Sequence, residues 1–204
     1  MAYQPTIVAT DLEGVLVPEI WIAVAEKTGI AELQLTTRDI PDYDELMQKR
    51  LSILRDNQLS MDDIHAVIQM IDPFEGAAAF LDWVRSQNQC IILSDTFYEF
   101  AMPLMAKLGY PTLFCHTLEV DAQQAIIGYR IRKTDPKTHA VIAFKELGFR
   151  VIAFGDSYND TGMLREADMG MLFRAPERVV NEFPQYPALQ DYAQLQHHIE
   201  SYLA

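Results

Sequence analysis

Short apolar runs of strand length recur along the 204-residue chain, and several stop on acids or hydroxyls just before a stretch with helical periodicity. Thr6–Thr10 leads into Asp11-Leu12-Glu13-Gly14, Cys90–Leu93 into Ser94-Asp95-Thr96, and Val151–Phe154 into Gly155-Asp156-Ser157-Tyr158-Asn159-Asp160. Runs without polar alternation suit strands buried on both faces. Their alternation with helices predicts an α/β fold, a doubly wound parallel sheet that takes ligands beyond the carboxyl ends of its strands. The first run poses a chemical question. It ends on one carboxylate, skips a leucine and presents a second, and a carboxylate at the end of a buried strand needs solvent, hydrogen-bond donors or a cation.

A helical stretch follows. Pro18 is placed to open a helix whose apolar face carries Trp21, Val24, Ala25 and Thr28 before Gly29. Asp42 to Asn57 fits a second helix with the stripe Tyr43, Leu46, Met47, Leu51 and Leu54, which Arg50 interrupts. Ser60-Met61-Asp62-Asp63 reads as a capping box in front of Ile64, Val67, Ile68 and Ile71. Residues 18–72 are therefore expected to form a helical cap inserted into a core made of 1–17 and 73–204. Past Pro73 the pattern predicts helices over Gly76–Ser86, over a stretch that SDTFYEF leads into and that ends near Gly109, and over Lys137–Leu147, Pro176–Phe183 and Asp191–Leu203. It also predicts a strand at Met169–Phe173 and a β-hairpin pairing His116–Val120 with Ile126–Arg132.

The formal charge of −13 disfavours nucleic acid and anionic membranes as partners, because both are bound by clustered Lys and Arg. An anionic substrate is not disfavoured, since charges more than about 8 Å away are largely screened at physiological salt and a pocket can supply local positive charge. No run approaches the ~18 apolar residues of a membrane span. The start lacks a basic segment followed by an apolar one, so a cytoplasmic protein is expected. Cys90 and Cys115 each sit in an apolar run and read as buried, reduced thiols. With the histidines scattered, these cysteines are too few for zinc, and oxygen is the expected metal donor.

Any one polar cluster is ordinarily a helix cap or a turn. Their order is more specific. Asp-x-acid-Gly-Val follows the first strand, a Ser/Thr follows a second, Lys137 opens a helix behind Asp135-Pro136, and Gly-Asp-x-x-x-Asp follows a later strand. This order, with a helical insertion between the first and second clusters, resembles the haloacid dehalogenase superfamily of aspartate-nucleophile phosphatases over nearly the whole chain. Within it, DLEGVLVPEIW, QKRLSIL, ILSDTFYEF, DPK and GDSYND are similar to the phosphoserine phosphatases. The likeness is greatest to a bacterial variety that is also associated with phosphoserine:homoserine phosphotransferase activity.

The resemblance implies Mg²⁺-dependent release of serine from O-phosphoserine, with homoserine as a second phosphoryl acceptor. Asp11 would be the nucleophile and carry the aspartyl phosphate. Asp11, Asp156 and the backbone carbonyl of Glu13 would hold Mg²⁺, and Asp160, four residues after Asp156, would orient the metal's surroundings. Lys137 would neutralise the phosphate as a point charge, Ser94-Asp95 would cradle its oxygens, and Asn159 would help bind substrate. Glu13 stands where the family pattern has an Asp acting as general acid and base, on an arm longer by about 1.5 Å. In the cap, Arg50 must snorkel out of its apolar stripe or meet an anion. The resemblance assigns it the substrate carboxylate. Glu19, placed in the first turn of a helix where the dipole favours an acid, is assigned the substrate ammonium. The implied partner is thus a small-molecule zwitterion, with a homodimer left open. The alternatives are a phosphatase of another small phosphomonoester and a receiver-type module that accepts phosphate without turnover. The inserted helices, Glu13 and GDSYND have no evident task in a receiver.

Overall fold

The computed structural model describes residues 4–36, 39–40 and 42–204. Strand β1 (Thr6–Thr10) is followed by α1 (Ile20–Thr28), a 3₁₀ turn at Ala31–Gln34, α2 (Tyr43–Asp56), α3 (Met61–Ile68) and α4 (Ala77–Gln87). Next come β2 (Gln89–Phe97), α5 (Tyr98–Lys107), β3 (Thr112–Val120), β4 (Ile126–Arg130), α6 (Pro136–Glu146) and β5 (Arg150–Gly155). A 3₁₀ turn at Tyr158–Asp160 leads to α7 (Thr161–Glu166), β6 (Met169–Phe173), α8 (Glu177–Glu182), β7 (Ala188–Leu189) and α9 (Tyr192–Leu203).

The strands form one seven-stranded sheet in the order β4-β3-β2-β1-β5-β6-β7. All pairings are parallel except that of β3 with β4. All five residues of β1 are buried, and its neighbours are β2 and β5. The chain therefore winds away from β1 in both directions, which makes the carboxyl end of β1 the crevice where doubly wound sheets bind ligands. Successive residues of a strand face opposite ways. Val8 joins Ile92, Ile152 and Phe154 in a core shared with α1 to α5 and α9, while Ile7 and Ala9 join Val151 and Ala153 under α6, α7 and α8. Each fully buried aliphatic contributes about 1.5–3 kcal/mol, so both faces hold the sheet rigid beneath its ligand edge.

Local signals place most element ends. Asp42 caps α2 by accepting from the Glu45 N–H, and the box of Ser60 and Asp63 is formed at the start of α3. Gly29 closes α1 in the left-handed conformation at φ 72°. Four boundaries differ from the sequence reading. Helix α1 starts at Ile20, which makes Glu19 its N-cap position and leaves Pro18 outside. Strand β2 runs on through Ser94, Asp95 and Thr96 to Phe97, with an irregular register between Leu93 and Phe97. Strand β3 begins at Thr112, four residues before the expected hairpin, because its first half completes the parallel sheet and only its second half pairs with β4. Strand β7 is two residues long, too short to carry a period, and gains its strand geometry from pairing with β6.

The helices between β1 and α4 pack into the larger core, with Trp21 of α1 meeting Phe100 of α5 edge-on at 5.2 Å. Strand β4 braces α2: the Tyr129 ring meets Tyr43 edge-on at 6.4 Å, and its hydroxyl donates to the Asp44 carboxylate. Cys90 and Cys115 are free, and burial pushes both thiols up to about 12. No helix among the described residues is long and apolar enough to cross a membrane.

Candidate active site

Polar clusters from three strand ends and one helix start meet at the carboxyl end of β1. Asp11 is 5 % exposed, its N–H donates to the Phe154 carbonyl of β5 at 3.2 Å, and its Oδ1 accepts from the Leu12 N–H at 2.7 Å. Lys137 reaches the same point from the first turn of α6, which the chain enters through Asp135 at φ 47° and then Pro136, whose fixed φ suits a helix start. Its buried Nζ lies 2.8 Å from Asp11 Oδ2, 2.7 Å from Asp160 Oδ1 and 3.8 Å from Asp95 Oδ2. Asp160 Oδ2 accepts from the N–H groups of Asp156 and Ser157, both at 3.0 Å. Two glycines make this packing fit. A Cβ at Gly14, which sits at φ 75°, would strike the Asp156 carboxylate, and one at Gly155 would strike that of Asp160.

The charges are unbalanced. Burial pushes the Asp11 acid well above its ordinary value; Lys137 opposes the shift, and the Asp160 and Asp156 charges add to it. Burial alone would pull the Lys137 ammonium down, but Asp11, Asp160 and Asp95 more than reverse this and hold it well above the usual lysine range. Asp95 behaves differently: burial raises it, yet Lys137, His116 and Asn159 bring it down to about 2.

A cleft of about 320 Å³ opens above this centre, walled by Asp11, Glu13, Ser94, Asp95, Thr96 and Asp156 on one side and by Glu19, Trp21, Tyr43 and Arg50 on the other. The Glu13 carboxylate accepts from the Ile20 N–H at 2.8 Å, so its longer arm caps α1. The Glu19 side chain makes no such capping bond. Burial pushes the Glu13 acid up, against the Ile20 N–H and the Thr96 hydroxyl. Arg50 is 7 % exposed; its Nη2 donates to the Leu35 carbonyl at 2.8 Å and its guanidinium lies 4.6 Å from the centre of the Trp21 ring. Its Nε is buried without a hydrogen-bond partner, and burial pulls the guanidinium down to about 10. An unmet buried donor costs about 1–3 kcal/mol, which a bound anion would recover.

A profile of the haloacid dehalogenase-like hydrolases matches residues 6–168. The chain belongs to this family. This haloacid dehalogenase-like hydrolase is 60% identical over 189 residues to the phosphoserine phosphatase ThrH of Pseudomonas aeruginosa, over 93% of this chain and 92% of the relative. It is 58% identical over 189 residues to a phosphoserine phosphatase of Pseudomonas syringae pv. tomato, over 93% of this chain and 80% of that one. Among solved structures, a phospho-aspartyl intermediate analogue of phosphoserine phosphatase aligns with a TM-score of 0.77 at 20% identity, over 96% of this chain and 99% of the other. A substrate-bound phosphoserine phosphatase complex aligns with a TM-score of 0.77 at 19% identity, over 96% and 99%. At such identities the two structures share the fold.

Within this haloacid dehalogenase-like hydrolase, Asp11, Lys137, Asp156 and Asp160 come together at one edge of the sheet, and Glu13, Glu19, Arg50, Ser94, Asp95 and Asn159 line the cleft above. One placement departs from expectation: Glu19 is an N-cap rather than a first-turn residue. Asp160 is fully buried on Lys137. Of the two fates open to Arg50, snorkelling out or staying in to meet an anion, the structure shows it inside, where the Leu35 carbonyl and the Trp21 face replace part of its hydration. The Asn159 amide donates to Asp95 Oδ2 at 2.7 Å, so it holds a neighbour as well as facing the cleft. Two residues escaped the sequence reading, and a third, Thr96, entered it only as part of a polar cluster. Tyr43, counted only as part of an apolar stripe, donates its hydroxyl to the Asp95 carbonyl at 3.2 Å; an amphipathic aromatic at a helix start was the available signal. Thr96 lines the cleft beside Ser94. His116 is buried 3.6 Å from Asp95 Oδ1, and nothing marks one histidine in an apolar strand.

The donor set fits a hard divalent cation. Carboxylate oxygens of Asp11, Asp156 and Asp160 lie within 4.8 Å of one another, and an all-oxygen set suits Mg²⁺ better than softer metals. Burial, then the Asp160 and Glu19 charges, push the Asp156 acid up to about 7, a surplus of negative charge that a cation would relieve. The Asp160 oxygens are engaged by Lys137 and backbone N–H groups and those of Asp11 by Lys137 and the Leu12 N–H, but only Asp11 and Asp156 of the three line the cleft from which an ion would enter. The Glu13 carboxylate lies outside this cluster, turned to α1.

Proposed function

We propose that the chain is a Mg²⁺-dependent phosphoserine phosphatase that works through an aspartyl phosphate on Asp11 and accepts homoserine as an alternative to water. The observation that carries this reading is the pairing, across one cleft, of the buried Asp11–Lys137 contact at 2.8 Å with the buried Arg50 guanidinium and its unmet Nε. The first suits a phosphate ester and the second a carboxylate on the same small molecule. The names of the relatives that share 60% and 58% identity support the choice of substrate.

Residues 18–72 act as the cap in this reading, with Arg50 on the substrate carboxylate and Glu19 on its ammonium. Asp11 attacks phosphorus, the bond to the serine oxygen breaks, and Glu13 gives its proton to the departing alkoxide. Glu13 then takes a proton from the entering hydroxyl as its oxygen displaces Asp11. Lys137, the Ser94 hydroxyl and the N–H groups near Asp95 neutralise the phosphate oxygens. Held by Asp11, Asp156 and the Glu13 carbonyl, Mg²⁺ would supply the positive charge that lets carboxylate and phosphate approach. Asp160 orients that arrangement. Steady phosphate release from phosphoserine, stopped by EDTA and restored by Mg²⁺, tests the reading. Labelling of Asp11 without turnover would replace it with a receiver-type module.

Replacing Arg50 by Ala separates recognition from chemistry. Losing one charge-assisted contact of about 2 kcal/mol should lower kcat/KM for phosphoserine roughly thirtyfold. Phosphoethanolamine, which lacks the carboxylate, should be nearly unaffected; equal losses on both would make Arg50 a support of the cap. Homoserine carries the same ammonium and carboxylate as serine, so it should divert phosphoryl groups into O-phosphohomoserine and lower free phosphate per serine released. Phosphorus NMR reads the partition, and equal serine and phosphate at saturating homoserine would leave hydrolysis alone.

A further inference from the structure

Asp95 brings a carboxylate to the cleft that must accept a phosphate, and like charges in a partly desolvated cleft repel strongly. Its Oδ2 stands 3.8 Å from Lys137 Nζ, whereas Asp11 and Asp160 approach to 2.8 and 2.7 Å. Two further groups approach it, one at each oxygen. The Asn159 amide donates to Oδ2 at 2.7 Å, and His116 Nε2 lies 3.6 Å from Oδ1. His116 is 3 % exposed and sits where β3 leaves the parallel sheet for the hairpin, paired first with Phe97. The Arg132 N–H donates to its Nδ1 at 3.2 Å. In a neutral imidazole that bond assigns the lone pair to Nδ1 and the proton to Nε2, which puts the N–H on the side of Asp95.

We propose that His116 is a positioning residue for phosphate binding: the electrostatic pull of its Nε2–H across 3.6 Å and the Asn159 hydrogen bond together hold the Asp95 carboxylate back from Lys137 and from the phosphate position. This rests on the phosphatase reading of the cleft. Without His116, Asp95 swings onto Lys137 Nζ, gives the ammonium a third close carboxylate and sets a negative charge against the incoming phosphate. Affinity for phosphate suffers more than the chemistry, because Asp11 and Glu13 are untouched.

The test is a double-mutant cycle read by orthophosphate binding in a calorimeter with Mg²⁺ present, alongside KM and kcat for phosphoserine. His116→Leu removes the donor at similar volume, and His116→Gln keeps an N–H near the Nε2 position. His116→Leu should weaken orthophosphate about tenfold and raise KM by a similar factor while kcat stays within about twofold, and His116→Gln should recover most of the loss. In an Asp95→Asn background the same Leu substitution should change affinity less than about twofold, since no carboxylate charge remains to be held. Equal weakening in both backgrounds overturns the proposal and leaves His116 as support for the hairpin through Arg132. A folded His116→Gln as weak as His116→Leu overturns it too. Should His116→Leu fail to fold, the imidazole ¹⁵N spectrum of the unaltered protein decides: a protonated Nε2 whose signal moves on Asp95→Asn supports the proposal, and the other tautomer or an unmoved signal overturns it. Orthophosphate binding is measurable whether or not phosphoserine turns over, so a protein that completes the cycle yet releases no serine refutes the substrate assignment alone.

Discussion

With Asp11 as the proposed nucleophile, Asp11→Asn should abolish phosphate release, a loss of at least about 10⁴-fold, while the fold survives. The amide matches the carboxylate in shape but cannot form an acyl phosphate with the substrate phosphorus. The fold tolerates it because Asp11 is a strained anion, its acid pushed up first by burial and further by Asp160 and Asp156. Neutralising it removes a desolvation cost, and Lys137 keeps Asp160 at 2.7 Å as its partner. Phosphate release and thermal unfolding, measured side by side, check both halves. Turnover at the original rate would remove the aspartyl phosphate from the mechanism, and an unfolded variant would show that the Asp11–Lys137 contact is structural.

Lys137→Met strikes both stability and activity. The methionine fills similar space, but Asp11, Asp160 and Asp95 lose the ammonium that stands 2.8, 2.7 and 3.8 Å from their oxygens. Breaking a buried pair by deleting one partner costs about 3–5 kcal/mol, because the remaining charges stay buried. In the proposed mechanism Lys137 neutralises the phosphate oxygens, so its loss should lower turnover at least about 10³-fold. The stability loss has a pH signature in metal-free protein. Asp11 already titrates above its ordinary value in the folded state, and without Lys137 it rises further. The folded variant then binds more protons than the unfolded chain between the ordinary carboxylate range and the raised value, so its stability falls as pH rises through that window. The deficit against the unaltered protein should be smaller at pH 5 than at pH 8 in denaturant titrations with EDTA. A deficit that is the same at both would place the lost stability in packing instead of charge.

Much of the fold was legible because its signals are local. Apolar runs without alternation announced strands buried on both faces, and Asp42, Gly29 and the Ser60–Asp63 box marked helix ends through bonds to residues a few positions away. The order of strand and helix predicted a doubly wound sheet, and the acids after β1 and β5 stand at its carboxyl edge. Where pairing partners lie far along the chain, the reading fell short. The parallel half of β3 and the whole of β7 take their geometry from a neighbouring strand rather than from any period of their own.

In the candidate site, Asp11 and Lys137 were singled out by the order of the motifs and the family that order resembles, and Arg50 by interrupting an apolar stripe. The setting of each side chain was not legible. Arg50 stays buried because a carbonyl at Leu35 and the face of Trp21 happen to meet it, and Glu13 caps α1 because its arm reaches the Ile20 N–H. Tyr43 meets Asp95 across 52 residues of chain, and His116 meets it from another strand. Backbone conformation follows from neighbours in sequence, which a chain of letters displays. The charge state and orientation of a buried group follow from atoms within a few ångströms in space, and the winding of β2 and β5 around β1 is what brings those atoms together.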